Sequence, residues 1–257
     1  MKYNLFEADV VGYKNIKKGK GSQDYLDYKI VDDSIICTVA DGHSTDFFEY
    51  SSDGSKLACI SSIDILEKFI DKSLDEVKNE LEKGNIQRLI YDKWMELVNE
   101  HYKNINAIVF KTEYIKYSTT LVTTLITNEF KLYLKIGDGN IVVKNKNYYK
   151  KVLETKNKEI VDSLGRFEAY KNFIYYIEKN DESNKLDSVI LFTDGYENSF
   201  INEKVLFQSL EKTINQYNKS VFSRWMLYKN YKWDLSKLSK AISKDDISII
   251  YIFINEQ

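Results

Sequence analysis

The sequence lacks several features that would place it in a specialised class of protein. Its 257 residues include no proline, two cysteines and two histidines. Two cysteines are too few for a disulfide framework or a zinc set. Cys37 and Cys59 both have apolar neighbours, which predicts buried thiols in a reducing compartment. We attach no function to the absence of proline.

Long apolar runs and an excess of one charge are also missing. No run approaches the ~20 apolar residues of a membrane-spanning helix, and the N-terminal segment has no apolar signal core. A net charge of −2 predicts no bulk attraction to nucleic acid or to an anionic membrane. We therefore expect a cytoplasmic protein that binds neither nucleic acid nor membrane.

The hydrophobic content of 43% is sufficient for a core, and no linker divides the chain, which predicts one domain over residues 1–257. Apolar patterns predict strands at 3–12, 28–31, 34–40, 119–127, 130–136, 141–144, 148–153, 172–178, 189–193 and 247–254. Helices are predicted at 55–70, 85–106, 207–217 and 235–242, with Asp234 as the cap of the last one. Because the helices segregate from the hairpins, we expect an α+β fold, with two packed antiparallel sheets flanked by helices.

Four Asp-Gly pairs begin at Asp41, Asp53, Asp138 and Asp194. Asp-Gly is foremost a turn signal. A Ser-rich polar stretch precedes Asp53, so we expect a turn there, with Ser55 capping the next helix. Asp41 and Asp194 each follow a long apolar strand, which predicts carboxylates at a sheet edge. Asp138 is compatible with a hairpin turn as well.

Another acidic pair, Asp245-Asp246, leads into the last apolar run. Clustered carboxylates repel one another unless cations neutralise them, and such oxygen-rich sites suit Mg²⁺ or Mn²⁺. Two such ions can promote in-line displacement at phosphorus. His43 follows Asp41-Gly42 and would be positioned to protonate a leaving oxygen.

Five parts of the sequence resemble, in the same order, the PP2C (PPM) family of metal-dependent serine/threonine phosphatases. The resemblance spans about residues 5–254. The parts are Ser22-Gln23-Asp24, Val39-Ala40-Asp41-Gly42-His43, Ser118-Thr119-Thr120 with Gly137-Asp138-Gly139, Phe192-Thr193-Asp194-Gly195 and Asp245-Asp246-Ile247-Ser248-Ile249. Each is weak alone, but together they are specific.

The resemblance implies a β-sandwich with two divalent cations, Mn²⁺ or Mg²⁺, at one end. By position, Asp41 would bridge both ions and the Gly42 carbonyl would support one of them. Asp194 and Asp245 would bind the other ion. Asp24 lies in the segment that supports the first.

Three further roles follow from the same resemblance. Asp138 would help to hold a third, loosely bound ion. His43 matches the family's general acid, which would protonate the leaving oxygen when an activated water attacks phosphorus. Asp246 stands where the family usually has asparagine, so the choice between Asp245 and Asp246 as the ligand is open.

The sequence departs from the family at two places. Gln23 precedes Asp24 where many members have glutamate, so one ion would bind more weakly. Only lysines stand where many members have a phosphate-binding arginine. We expect Lys18 and Lys20 to bind the substrate phosphate as point charges; a solvated basic loop, running from Lys14 to Gly21, is the other interpretation.

Three functions fit these observations. The first is hydrolysis of phosphoserine and phosphothreonine in a phosphorylated protein substrate, with a partner serine/threonine kinase. The second is a catalytically weak relative that binds a partner, as Gln23 and the missing arginine suggest. The third is a metal-dependent nuclease or another phosphoesterase, which only the acidic cluster supports.

Two features outside the acidic cluster receive structural interpretations. The aromatic and basic stretch from Phe222 to Trp233 is expected to pack onto the body, although a partner surface or single-stranded nucleic acid would also suit it. His101 is expected to be a surface or capping residue.

Overall fold

Two five-stranded antiparallel sheets form the centre of the molecule. The computed structural model describes residues 3–106, 111–146, 148–154 and 161–255. Sheet I contains, in spatial order, β1 (Tyr3–Val10), β10 (Ile247–Ile254), β9 (Ser188–Phe192), β6 (Asn140–Lys144) and β7 (Tyr149–Lys151). Sheet II contains β2 (Asp24–Val31), β3 (Ser34–Asp41), β4 (Leu121–Ile126), β5 (Phe130–Ile136) and β8 (Ile174–Lys179).

Helices cover the outer face of each sheet. The helices of the described ranges are α1 (Tyr13–Lys17), α2 (Ser51–Leu66), α3 (Leu74–Glu82), α4 (Asn85–Ile105), α5 (Asp194–Glu197), α6 (Glu203–Lys219) and α7 (Val221–Ala241). The hydrophobic clusters put α2, α3 and α4 over sheet II, and α6 and α7 over sheet I. Within those same ranges, none of the helices has the length and apolar character needed to cross a bilayer.

The long apolar run of β3 is explained by burial on both faces. Ile36 and Ala40 belong to the cluster under the helices. Cys37 and Val39 belong to the cluster between the two sheets. Because successive side chains of a strand point to opposite faces, a strand in a four-layer structure needs apolar residues at almost every position. The predicted α+β class with two packed sheets is therefore confirmed.

The predicted turn at Asp53-Gly54 is wrong, because both residues lie in α2. A Cβ on Gly54 would lie 1.9 Å from the carbonyl oxygen of Tyr117, and Trp94 Nε1 donates a hydrogen bond to the Gly54 carbonyl at 3.1 Å. The glycine therefore permits close packing rather than a turn. Ser55 is likewise inside the helix and not its cap, and its hydroxyl donates to the Gln23 carbonyl at 2.6 Å.

The last predicted helix, 235–242, is only the end of α7. Asp234 lies inside α7 and does not cap it. Ser220 is the cap, since its hydroxyl accepts a hydrogen bond from the Ser223 amide at 3.0 Å. Three other elements were not predicted at all, namely α3, α5 and the short α1 in the expected basic loop.

The structure shows the surroundings of the two cysteines and of His101. Cys37 and Cys59 are buried and not disulfide-bonded, as predicted. His101 is not a simple surface residue: its Nδ1 lies 2.8 Å from the Tyr117 hydroxyl, and its Nε2 lies 3.6 Å from an Asp53 carboxylate oxygen. It therefore links α4 to α2.

Candidate metal centre

Acidic residues from both sheets meet at one end of the sandwich. Asp24 begins β2 and faces Asp41, the last residue of β3, across the antiparallel pair. Asp194 follows β9, and Asp245 lies just before β10. Asp138 lies in the segment 137–139, which connects β5 of sheet II to β6 of sheet I and is therefore not a hairpin turn. In the described part of the chain, one carboxylate oxygen from each of Asp41, Asp138 and Asp194 lies within 4.8 Å of the others.

The carboxyl groups of this cluster have raised pKa values. Burial is the largest cause for Asp24 and Asp41, whose pKa values lie well above the usual range, and neighbouring acidic charges add to it. Burial also raises the pKa of Asp194 to about 6. The interaction between the two carboxyl groups raises the pKa of Asp41 further and partly offsets the rise in that of Asp194. When no cation is bound, protonation of these carboxyl groups therefore relieves the repulsion between them.

Two oxygens of the cluster have no partner among the described residues. Asp24 Oδ2 accepts a hydrogen bond from the Thr193 hydroxyl at 2.7 Å, and Asp194 Oδ2 accepts one from Asn198 Nδ2 at 2.9 Å. Asp24 Oδ1 and Asp194 Oδ1 are buried and accept none. Because buried polar atoms are almost always paired, these two oxygens fit the coordination of hard cations, and so does the all-carboxylate donor set.

The two threonines just before β4 fix the backbone of Asp41. The Thr120 hydroxyl accepts from the Asp41 amide at 3.1 Å, and the Thr120 amide donates to the Asp41 carbonyl at 2.9 Å. The Thr119 hydroxyl donates to the same carbonyl at 2.9 Å. A Cβ on Gly42 would lie 2.6 Å from the Ser51 carbonyl oxygen and 2.7 Å from that of Gln23. Only glycine therefore fits directly after Asp41.

Asp245 and Asp246 occupy different environments, although the charges of both raise the pKa of Asp24. The Asp246 carboxylate is buried and accepts hydrogen bonds from the amides of Gly12 at 2.5 Å and Gln23 at 2.7 Å, and from Asn15 Nδ2 at 2.9 Å. Its oxygens are therefore committed to the protein. Asp245 is partly exposed, pairs with Lys14 at 2.7 Å, and contributes to the raised pKa values of Asp24, Asp41 and Asp194.

Gln23 supports the segment that carries His43. Its Nε2 donates to the His43 carbonyl at 3.1 Å and to the Ser51 hydroxyl at 2.8 Å. The Ser51 hydroxyl donates to that same carbonyl at 2.9 Å. The His43 ring lies 4.7 Å from the Phe48 ring. Burial lowers the pKa of His43, the Asp138 charge opposes this effect, and the Arg166 charge adds to it.

Several basic side chains interact with acidic groups around the site. Lys20 Nζ lies 2.6 Å from an exposed Asp46 carboxylate, and Lys18 contributes its charge to Asp46 as well. Lys14 and Arg166 are the cations that act on Asp245 and His43. The hydrogen bond from the Leu164 amide to the Thr119 carbonyl at 2.9 Å holds the Arg166 segment beside the site.

Sequence reasoning missed several residues that organise the cluster. The Thr193 hydroxyl bridges Asp24 and the Ser248 amide, at 2.7 and 3.1 Å. The buried Lys135 donates to the Gly139 carbonyl at 2.9 Å and so holds the segment that carries Asp138; burial lowers its pKa to about 8. For Thr193, the only signal in the sequence was its position directly before Asp194. No sequence pattern indicated that Lys135 lies near the cluster.

The two-sheet sandwich and the acidic cluster at its end define a class of protein, an α+β fold with a centre suited to divalent cations. The family model for protein phosphatase 2C matches residues 11–227. The chain therefore belongs to this family of metal-dependent serine/threonine phosphatases, which are hydrolases. The resemblance inferred from the sequence is confirmed.

Solved structures of bacterial phosphatases share the fold at low sequence identity. A serine/threonine phosphatase from Staphylococcus aureus is 14% identical, with a TM-score of 0.61 over 100% of this chain and 96% of that chain. One from S. agalactiae is 13% identical, with a TM-score of 0.61 over 98% and 100%. The catalytic domain of the phosphatase PstP, in complex with two manganese ions, is 10% identical, with a TM-score of 0.59 over 99% of each chain. No curated protein sequence matches the chain.

Proposed function

We propose that the protein hydrolyses phosphoserine and phosphothreonine in phosphorylated proteins with the help of two divalent cations. Mn²⁺ or Mg²⁺ would be held by Asp24, Asp41, Asp194 and Asp245, with the Gly42 carbonyl beside Asp41. The same region, through Asp138, would hold a third and weaker ion. When bound, the cations would neutralise the carboxylates and activate a water for attack on phosphorus.

The observation that carries this proposal is the pair of buried, unpartnered oxygens, Asp24 Oδ1 and Asp194 Oδ1. They belong to elements of different sheets, and both carboxyl groups have raised pKa values. A buried carboxylate without a partner is costly, and a bound cation removes that cost. Asp245 is the better ligand candidate than Asp246, whose oxygens are occupied by hydrogen bonds from the protein.

His43 would act as the general acid for the leaving oxygen of serine or threonine. Its backbone is tied to Gln23, Ser51 and Ser118, so the position of the ring is set by the surrounding loops. Burial favours the neutral imidazole. A bound phosphate dianion would favour the protonated form, as the Asp138 carboxylate does, because negative charge stabilises imidazolium.

The substrate phosphate would be bound by basic side chains near the site. Lys18 and Lys20 stay our prediction for this role, although Lys20 must first leave Asp46. Arg166, beside His43, adds a guanidinium that can grip phosphate through two hydrogen bonds. A partner serine/threonine kinase and a cytoplasmic location also stay predictions.

A catalytically weak relative that binds a partner is the second candidate function. The Gln23 side chain supports it, because its amide donors are used by the His43 carbonyl and Ser51 and it brings no charge to a cation. The Asp245–Lys14 ion pair supports it too, since a lysine already neutralises one proposed ligand.

Two hydrolysis assays separate the phosphatase from the catalytically weak binding protein. The substrates are p-nitrophenyl phosphate and a phosphothreonine peptide, each assayed with Mn²⁺ and with EDTA. We expect Mn²⁺-dependent turnover that is lost in Asp41→Asn and Asp194→Asn. For His43→Asn we expect kcat on the phosphothreonine peptide to fall by about 10²–10⁴, with a smaller loss on the aryl phosphate, whose leaving group needs less protonation. Folded wild-type protein without metal-dependent turnover on either substrate would support the binding module instead.

A further inference from the structure

Helix α7 presents an apolar and basic surface that no other described element covers. Its inner face is buried against sheet I through Leu227, Tyr231 and Leu235. Its opposite face carries large side chains that are exposed. We define the outer stripe as Phe222, Trp225, Lys229, Trp233, Lys237 and Lys240, spaced by three or four residues along the helix.

The aromatic side chains of the outer stripe are exposed to an unusual degree. The exposed fractions are 70% for Phe222, 53% for Trp225 and 60% for Trp233. The Phe222 and Trp225 rings stack on each other, with centroids 5.9 Å apart. A single exposed apolar residue needs no explanation, but an aligned series along one helix indicates a surface that binds something.

The charges of the outer stripe all have the same sign. Lys229 lies over the Trp225 ring at 5.2 Å, and Lys237 lies over the Trp233 ring at 3.0 Å. Within the described ranges, none of the three stripe lysines is ion-paired with a carboxylate. The single acidic residue of α7, Asp234, lies off the stripe. The stripe therefore complements a partner that is negatively charged.

The basic surface continues beyond the C-terminal end of α7. Lys240 lies over the Tyr13 ring at 5.5 Å, and Lys17 of α1 lies over the same ring at 4.8 Å. Lys244 is 5.6 Å from that ring. The net charge of −2 for the whole chain conceals this segregation of positive charge on one side of the molecule.

Against the expectation from net charge alone, we propose that the outer stripe of α7 docks the protein onto the surface of a bilayer that contains anionic phospholipids. The stripe is straight and runs along a helix about 30 Å long, so it suits a flat partner. Tryptophan and phenylalanine partition into the interface between headgroups and acyl chains, and lysines beside them reach the phosphates. This contact is peripheral, and it is independent of the proposed catalysis.

Vesicle binding in the presence of EDTA tests the proposal without any contribution from metal or turnover. We expect the full chain to sediment with mixed phosphatidylcholine and phosphatidylglycerol vesicles at low salt, and not with phosphatidylcholine alone. Its tryptophan emission should shift to the blue, because two of the three tryptophans lie on the stripe while Trp94 is buried.

Two stripe variants and one control give the test its specificity. The triple variant Lys229→Glu, Lys237→Glu, Lys240→Glu should bind at least about tenfold more weakly, since each lysine near an anionic surface contributes severalfold to affinity. Phe222→Ser with Trp225→Ser should also weaken binding. The control variant Lys68→Glu, Lys83→Glu, Arg88→Glu makes the same charge change on the layer over sheet II, and it should bind like the wild type.

Four results would overturn the proposal. One is absence of binding to the mixed vesicles. A second is equal binding by the lysine variant and the wild type. A third is an equal loss of binding in the control variant, which would show that only net charge matters. The fourth is α7-dependent binding to soluble polyglutamate without vesicle binding, which would identify an acidic polypeptide as the partner.

Discussion

Single carboxylates at the proposed metal site oppose folding when no cation is bound. Burial raises the pKa of Asp194 to about 6, whereas an exposed aspartate has a pKa of about 4. Between these values the folded chain binds a proton that the unfolded chain has released. The contribution of Asp194 to stability is therefore present at acid pH and is lost as the pH rises through about 6.

The first prediction concerns the variant Asp194→Asn in EDTA. At neutral pH its free energy of unfolding should exceed that of the wild type by about 1–2 kcal/mol, because the buried charge is gone. The difference should shrink towards pH 4, where Asp194 of the wild type is protonated. Urea unfolding at several pH values measures it. Asp71→Asn, an exposed site between α2 and α3, is the matched control and should have no effect.

Saturating Mn²⁺ should reverse that order. The wild type should gain stability through metal binding, and Asp194→Asn should gain much less. If Asp194→Asn were less stable than the wild type at neutral pH in EDTA, the account of a repulsive acidic cluster would be contradicted.

A second prediction separates the adjacent residues Asp245 and Asp246. Asp246→Ala should destabilise the fold by about 2–4 kcal/mol, because it leaves the buried amides of Gly12 and Gln23 without an acceptor. Asp245→Asn should unfold at nearly the wild-type temperature but bind Mn²⁺ more weakly. Thermal unfolding in EDTA and calorimetric titration measure the two effects. The opposite pattern would assign the ligand role to Asp246.

At the residue scale, the sequence predicted which aspartates lie near the site better than it predicted what each of them does. Asp41 and Asp194 stood out because each follows an apolar strand, and the structure brings them together. Asp245 and Asp246 were not separable, because their difference depends on Gly12, Asn15 and Gln23, which are distant in the chain. Such long-range hydrogen bonds leave no local pattern.

At the scale of elements, close approach between α5 and the start of β10 fixes the geometry of the site. A Cβ on Gly195 would lie 1.9 Å from the Asp246 carbonyl oxygen. Since Asp194 begins α5 and Asp245 lies just before β10, the distance between these two proposed ligands depends on this glycine.

The third prediction is that Gly195→Ala pushes α5 away from β10. We expect a loss of about 1–3 kcal/mol in stability through overpacking, together with weaker Mn²⁺ binding. Gly21→Ala is the control, since no atom lies within 4 Å of the added Cβ, and it should leave both quantities unchanged. Normal metal affinity in folded Gly195→Ala would contradict the proposed coupling.

Elements with one clear pattern were predicted, and those with mixed patterns were not. β3, β9 and β10 are continuous apolar runs that are buried on both faces. The length of α7 was missed because apolar residues occupy both its inner face and its outer stripe, which hides the helical period. α3 was missed although Ser73 and Glu76 form a capping box.

At the scale of the whole molecule, the site exists only because the two sheets end together. Asp24 and Asp41 belong to sheet II, Asp194 follows β9 and Asp245 precedes β10 of sheet I, and Asp138 lies on the crossover between the sheets. The pairing of β1 with β10 joins the two ends of the chain. Periodicity predicts strands but not their partners. Strand ends that carry aspartate suggested one shared acidic site, and the family resemblance supplied the role of each residue. That residues 1–257 form one domain stays a prediction.

The measurement that tests the central claim most directly is a calorimetric titration of the EDTA-treated, dialysed protein with Mn²⁺. We predict binding of two ions to the wild type, with loss of at least one in each of Asp41→Asn and Asp194→Asn. The folded variants, checked by circular dichroism, must match the wild type in secondary structure. A folded wild type that takes up no Mn²⁺ and no Mg²⁺ would contradict the account.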